Sequence, residues 1–207
     1  MIKKILLGLF AFLLVAGVSG YFYFTAGSEV YPEMLSVGRA APDFTGIDQH
    51  GQQLQLSELT RKGPVVLIFY RGLWCPACQK HLGELQASLD QFMAKGASVI
   101  AVTPEQANQT NQSVPVKSTS ISIIHDQDNE IMRSFQVDYQ LGKGSLRLFD
   151  VMGIDLGEAN GNDQNVLPIP ALYVIDKEGN IQYSYEKAGG MIPEYLPVAA
   201  ILDELSN

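Results

Sequence analysis

Val65-Val66-Leu67-Ile68-Phe69-Tyr70-Arg71-Gly72-Leu73-Trp74-Cys75-Pro76-Ala77-Cys78 is the stretch on which the fold turns. Its first six residues are uninterruptedly apolar, as in a strand covered on both faces. A turn with a glycine follows, then a Cys-x-x-Cys pair made from the only two cysteines in the chain. Pro76 suits the first turn of a helix, where its fixed φ fits and its missing N–H costs no partner. From Cys78 onward the apolar residues fall at 78, 82, 85, 89, 92 and 93, the spacing of one buried helical face. Gly96 closes that pattern as a C′ residue. The spacing therefore predicts a strand, a tight turn and one helix with Cys75 at its N-terminus.

A helix N-terminus favours an anion through its unpaired N–H groups and its macrodipole. At such a position a cysteine pKa falls from ~8.5 into the range of about 3.5–7.5. Cys75 is thus the expected thiolate nucleophile, and Cys78, one turn further in and more buried, the group that attacks a mixed disulfide on it. Arg71 adds positive charge nearby. Two other readings stay open. A structural disulfide over two intervening residues constrains the unfolded chain little, because that entropic gain grows with loop length. A metal site would begin with Cys75, Cys78 and His81, but tetrahedral zinc takes four ligands and no second Cys/His cluster exists to complete them. Covalent haem requires C-x-x-C-H, and position 79 is Gln. No cofactor and no resident metal are expected. His81 by itself reads as a partly exposed helix residue.

Residues 69–78, FYRGLWCPAC, resemble the FYRGxWCPxC signature of peroxiredoxin-like proteins in the AhpC/TSA branch of the thioredoxin superfamily. Three further segments resemble that family: Val37 to Phe44 (VGRAAPDF), Gly153 to Gly161 (GIDLGEANG) and Pro168 to Asp176 (PIPALYVID). Together they span residues 36 to about 206, nearly all of the chain beyond its apolar start. The resemblance implies a thioredoxin-like α/β fold, a central mixed sheet flanked by helices. It also implies Cys75 as peroxidatic cysteine, Cys78 as resolving cysteine and Pro170 as a cis-proline facing them. Arg71, Gly72, Trp74, Ile169 and Pro170 are the substrate contacts so implied. One departure stands out. Peroxiredoxins carry Thr three residues before the peroxidatic cysteine, where its hydroxyl orients the peroxide; here that residue is Gly72, and Trp74 precedes Cys75 as in thioredoxins. Arg147 is a second candidate for orienting a peroxide.

Ahead of this domain, Met1-Ile2-Lys3-Lys4 leads into twenty uncharged residues, 5–24, about the length that crosses a hydrocarbon core. Lys3 and Lys4 precede the run and no basic residue follows until Arg39, so the N-terminus is expected to stay cytoplasmic and the rest to be exported. Residues 1–25 are therefore read as a single-pass transmembrane helix in the cytoplasmic membrane, with a cleaved signal segment as the rival. Residues 26–35 are read as a tether, and 36–207 as one thioredoxin-like domain on the extracytoplasmic side. There, thiols are kept reduced or oxidised by dedicated partners. Formal charge is −8, which argues against nucleic acid as a partner.

Within the domain, residues 44–56 read as a β-hairpin turning at 48–51, with His50 exposed in the turn. A helical turn follows from Ser57. Strands are expected at 97–102 and 121–126, with Thr103-Pro104-Glu105 opening a helix between them and Asp128 capping another up to Phe135. His125 ends a strand and is expected to be packed or solvated. Residues 138–167, with five glycines and no clear period, read as a long loop of the kind that serves as a lid or binding segment. A strand pair at 171–176 and 181–185 and a helix from about 194 to 205 complete the chain. Pro170 would leave an extended edge before the first of these strands, on which a substrate backbone could dock.

The leading expectation is that Cys75 thiolate attacks a peroxide, becomes a sulfenic acid and condenses with Cys78 to a disulfide, which a thioredoxin-like dithiol donor reduces. The alternative is direct exchange with a protein disulfide. A copper or zinc carrier using both thiolates is a third, non-enzymatic reading.

Overall fold

The computed structural model describes residues 29–107, 121–186 and 194–206, and residues 10, 13–15 and 17 of the N-terminal segment. Strands β1 (Thr45–Ile47) and β2 (Gln53–Gln55) form the expected hairpin and lead into helix α1 (Leu56–Thr60). β3 (Val65–Phe69) is followed by helices α2 (Pro76–Ala87) and α3 (Leu89–Ala94), then β4 (Ser98–Thr103) and β5 (Ser122–His125). After α4 (Glu130–Ser134) come β6 (Asp138–Gln140), α5 (Lys143–Val151), α6 (Leu156–Asn160), β7 (Val166–Pro168), β8 (Ala171–Ile175), β9 (Ile181–Glu186) and α7 (Val198–Glu204).

The main sheet has the order β5-β4-β3-β8-β9. β3 runs parallel to β4 and antiparallel to β8, and so lies at the centre. All five of its residues are inaccessible to solvent, which is what an apolar run without polar alternation requires. The pleat divides them between two cores. Val65, Leu67 and Phe69 pack with Phe135, Phe149 and Tyr173 on one face. Val66 and Ile68 pack with Leu85, Phe92 and Ile201 on the other. β3 is thus clamped between two helical layers, and whatever follows its last residue is fixed in place.

Several elements differ from expectation. The cysteine helix is two helices, broken at Ser88, and Met93 points to solvent, because α3 turns to set Phe92 alone into the core. Asp126, not Asp128, caps α4: its carboxylate accepts from the backbone N–H groups of Ile131 (3.1 Å) and Met132 (2.8 Å). Residues 138–167 are not a loop but β6, α5, α6 and β7. The three-residue strands β6 and β7 exist by pairing with each other, Tyr139 opposite Leu167. The last helix starts at Val198, since Pro197 occupies its N-cap position and residues 194–197 form no regular element. The helix expected after Thr103 falls mostly outside the described residues.

The transmembrane helix expected over residues 5–24 is also corrected: among the described residues no helix is long and apolar enough to cross a membrane. Uncharged length carries that expectation alone, and spanning also takes a continuous helix. Most of residues 5–24 lie outside those described.

Candidate active site

The site grows out of the carboxyl end of β3. Phe69 is the last paired residue, opposite Val102 on one side and Ala171 on the other, and the Tyr70 N–H still donates to Val102 O (3.0 Å). Beyond it the chain leaves the sheet through Gly72, whose φ of 153° is one that residues with a side chain rarely adopt. A Cβ there would lie 2.3 Å from the indole Nε1 of Trp74. Glycine is thus required by the close approach of the tryptophan. The turn is held from the segment just after β4: the Leu73 N–H donates to the buried carboxylate of Glu105 (2.9 Å). Gln79 ties it from within α2 by donating to Leu73 O.

Cys75 is the N-cap residue of α2 in extended conformation, with Pro76 directly after it. Both cysteines are reduced; Cys75 keeps 6 % exposure and Cys78 none. The Cys75 pKa is lowered to about 6, first by the Cys78 thiol, which donates to its sulfur. Burial opposes this, while the backbone N–H groups of Cys78 and Ala77 and the charge of Arg71 support it. The Cys75 sulfur closes no full capping hydrogen bond, so those N–H groups act as oriented dipoles. Cys78 is pushed the other way, well above an ordinary thiol, by burial and by the Cys75 sulfur beside it. One sulfur is thus prepared to be an anion and its neighbour to hold the proton, as a nucleophile and its resolving partner require. The rate of Cys75 alkylation by iodoacetamide should therefore fall by half near pH 6 and level off above pH 7. An ordinary cysteine would still be gaining rate at pH 8, and mass mapping should find the adduct on Cys75 and none on Cys78.

The remaining expected residues divide. Arg71 is buried, and its Nη2 donates to Tyr139 Oη (3.1 Å). It lines a cavity of about 230 Å³ with Glu29, Tyr31, Tyr139, Ser145 and Phe149. Its charge acts on Cys75 on one side and on the Glu29 carboxylate in the cavity on the other. Trp74 is half-buried with its ring edge-on to Phe149 (centroids 5.4 Å apart). Ile169 is wholly buried, and its N–H donates to Val137 O (2.8 Å). The β7–β6 pairing therefore already uses the edge expected before β8. Pro170 is buried beside the end of β3, but its peptide bond is trans: the described residues contain no cis peptide. Arg147 is exposed and lines a separate cleft with Leu156 and Asp163, so it is not brought to the thiols.

His81 departs most from its sequence reading. It is buried, its ring lies flat on Tyr195 (centroids 4.4 Å, interplanar 8°), and desolvation lowers its pKa to about 4. The hydroxyl of Tyr195 is 3.2 Å from Cys78 Sγ. Three residues along the helix from Cys78, His81 shares its face, and that spacing is a signal the sequence carries. Tyr195 lies 117 residues from Cys78, and nothing in the sequence relates the two. His125, by contrast, is packed, with Nδ1 2.7 Å from Glu105 O. Among the described residues no group of three or more His, Cys, Asp or Glu side chains could hold a metal.

Residues 37–184 match the model of the AhpC/TSA family. The chain belongs to the AhpC/TSA family. Among relatives of this AhpC/TSA protein, the thiol-disulfide oxidoreductase ResA of Bacillus thuringiensis subsp. konkukian is 24% identical over 94% of the chain and 95% of ResA. Peroxiredoxin Q, chloroplastic, of Oryza sativa subsp. japonica is 28% identical over 78% of the chain and 64% of its own length. In fold it is similar to the peroxidoxin BcpB of Mycobacterium tuberculosis, with a TM-score of 0.64 at 20% identity over 83% of this chain and 97% of that one. The 2-Cys peroxiredoxin of Plasmodium vivax follows with a TM-score of 0.61 at 17% identity over 83% and 81%. The α/β sandwich is therefore thioredoxin-like, and this AhpC/TSA protein is a thiol-dependent oxidoreductase.

Proposed function

We propose that the chain is a dithiol–disulfide exchange enzyme in which Cys75 attacks a protein disulfide and Cys78 releases the product. The observation that carries this is the filling of the space that a side chain on residue 72 would need. A peroxide-orienting hydroxyl would have to stand on residue 72, and the Trp74 indole takes that space, 2.3 Å from where a Cβ would begin. Thiolate attack on a disulfide needs no such donor. It needs an ionised attacking sulfur and a second sulfur within reach of the mixed disulfide, and the Cys75–Cys78 contact supplies both. Cys75 thiolate adds to one substrate sulfur and the other leaves as a thiolate. Cys78 then attacks Cys75 Sγ, its proton passes to the departing sulfur, and two electrons have moved from the protein to the substrate. A thioredoxin-like dithiol donor returns them. The uncharged run behind Lys3 and Lys4 supports placing this work outside the cytoplasm.

The second reading, peroxide reduction through a Cys75 sulfenic acid, is favoured by the small opening over Cys75, which admits a peroxide more readily than a folded partner. The two are separated by the rate of Cys75 oxidation, followed side by side with hydrogen peroxide and with a model protein disulfide at equal concentration. Losing one oriented donor costs on the order of 10²-fold in comparable sites, so the disulfide should be faster by at least about tenfold. The opposite order would establish the peroxidase reading in its place.

A further inference from the structure

We propose that Tyr195 is a catalytic residue for the second half of the exchange, donating its hydroxyl hydrogen bond to Cys78 Sγ as that sulfur becomes the nucleophile, with His81 as its positioning residue. The inference rests on the reading of Cys78 as the resolving cysteine. Cys78 is wholly buried and burial holds its proton firmly, so its attack on Cys75 Sγ requires negative charge to develop where no water can stabilise it. The only side-chain oxygen that the described residues bring to hydrogen-bond distance of that sulfur is Tyr195 Oη, at 3.2 Å. Either atom can donate while Cys78 is a thiol, but once its proton leaves the sulfur can only accept, so the tyrosine O–H is the donor in the step itself. A donor already in place strengthens as charge builds on its acceptor and requires no rearrangement at the moment of attack.

His81 explains why the hydroxyl stays there. Its imidazole is parallel to the phenol ring at 4.4 Å, and its Nε2 has no hydrogen-bond partner although it is buried. A buried polar atom left unsatisfied is disfavoured for stability, yet it suits a ring used as a flat, uncharged platform. The tyrosine belongs to the segment just ahead of α7, where the packing of Tyr195, Leu196 and Val198 on the α2 side of the sheet holds it near Cys78. In the step itself the Cys75–S–S–R bond breaks and Cys75–S–S–Cys78 forms. The Cys78 proton leaves with RS⁻ as RSH, and Tyr195 keeps its own proton throughout.

The test is a stopped-flow reaction of the full reduced chain with 5,5′-dithiobis(2-nitrobenzoate), which releases one chromophore when Cys75 attacks and a second when Cys78 resolves. Tyr195→Phe should leave the first phase at the parent rate and slow the second by about ten- to a hundredfold, the usual effect of losing a hydrogen bond to a charged group. His81→Ala should slow the second phase in the same sense, and His81→Phe should recover it. A second phase unchanged in both Tyr195→Phe and His81→Ala overturns the inference. The first phase reports within the same trace that each variant is folded. Intact mass of the parent chain after reaction with one equivalent of reagent separates this from the underlying reading. An internal disulfide with no bound nitrobenzoate keeps Cys78 as resolving cysteine whatever Tyr195 does, whereas a nitrobenzoate adduct retained on Cys75 would remove that role and the inference with it.

Discussion

Cys75→Ser should be inactive on every disulfide and peroxide substrate, with turnover down at least about a thousandfold to the uncatalysed background. The site is arranged around a charge that a serine hydroxyl does not carry near neutral pH. In the native chain the Cys78 thiol, two backbone N–H groups and Arg71 together bring the Cys75 pKa down to about 6 against the opposition of burial. Applied to a hydroxyl, the same influences leave the proton in place. Sulfur and oxygen differ little in size, so the variant should keep its fold, with a stability change within about 1–2 kcal/mol. Residual turnover above background in a folded Cys75→Ser protein would remove Cys75 as the nucleophile. The companion variant, Cys78→Ser, should react once and stop, retaining a stoichiometric mixed disulfide on Cys75 that intact-mass measurement detects.

How far such a site is legible beforehand depends on whether its parts are local. Val65 to Phe69 are legible because a strand buried on both faces has only one sequence solution, an unbroken apolar run. The strand, turn and Pro76-headed helix follow within fourteen residues, so the position and chemistry of Cys75 and Cys78 are legible too. Residues 138–167 are not, because β6 and β7 are three residues each and owe their existence to one another. One element there did leave a mark. Asp155 caps α6 by accepting from the Glu158 N–H (2.9 Å), and Gly161 ends it with φ 69°, the Asp-x-x-Glu and glycine signature of a short helix. The Tyr195–Cys78 contact joins positions 117 residues apart and is made only when the whole sheet assembles. The same is true of Arg71 and Tyr139, 68 residues apart, whose hydrogen bond turns the arginine toward a cavity that no local pattern announces.

Gly72→Thr, which restores the residue that peroxiredoxins carry at this place, should damage the protein rather than convert it. The backbone there has a φ of 153°, and a Cβ would stand 2.3 Å from Trp74 Nε1 and 2.6 Å from its Cδ1. Overpacking and an unfavourable φ each cost about 1–3 kcal/mol, so the loss should be about 2–5 kcal/mol. In a chain of this size that lowers Tm by roughly 5–15 °C. The indole must move, and with it the edge contact to Phe149. Peroxide turnover should not rise, since the hydroxyl arrives only by displacing the indole. The cause is separable by a double-mutant cycle. Trp74→Ala removes the atoms that a new Cβ would strike, so Gly72→Thr should cost less in that background by at least about 1 kcal/mol in urea unfolding, the remainder being backbone strain. Equal costs in the two backgrounds would mean that the tryptophan is not what keeps residue 72 a glycine, and the support that Trp74 lends to disulfide exchange over peroxide reduction would go with it.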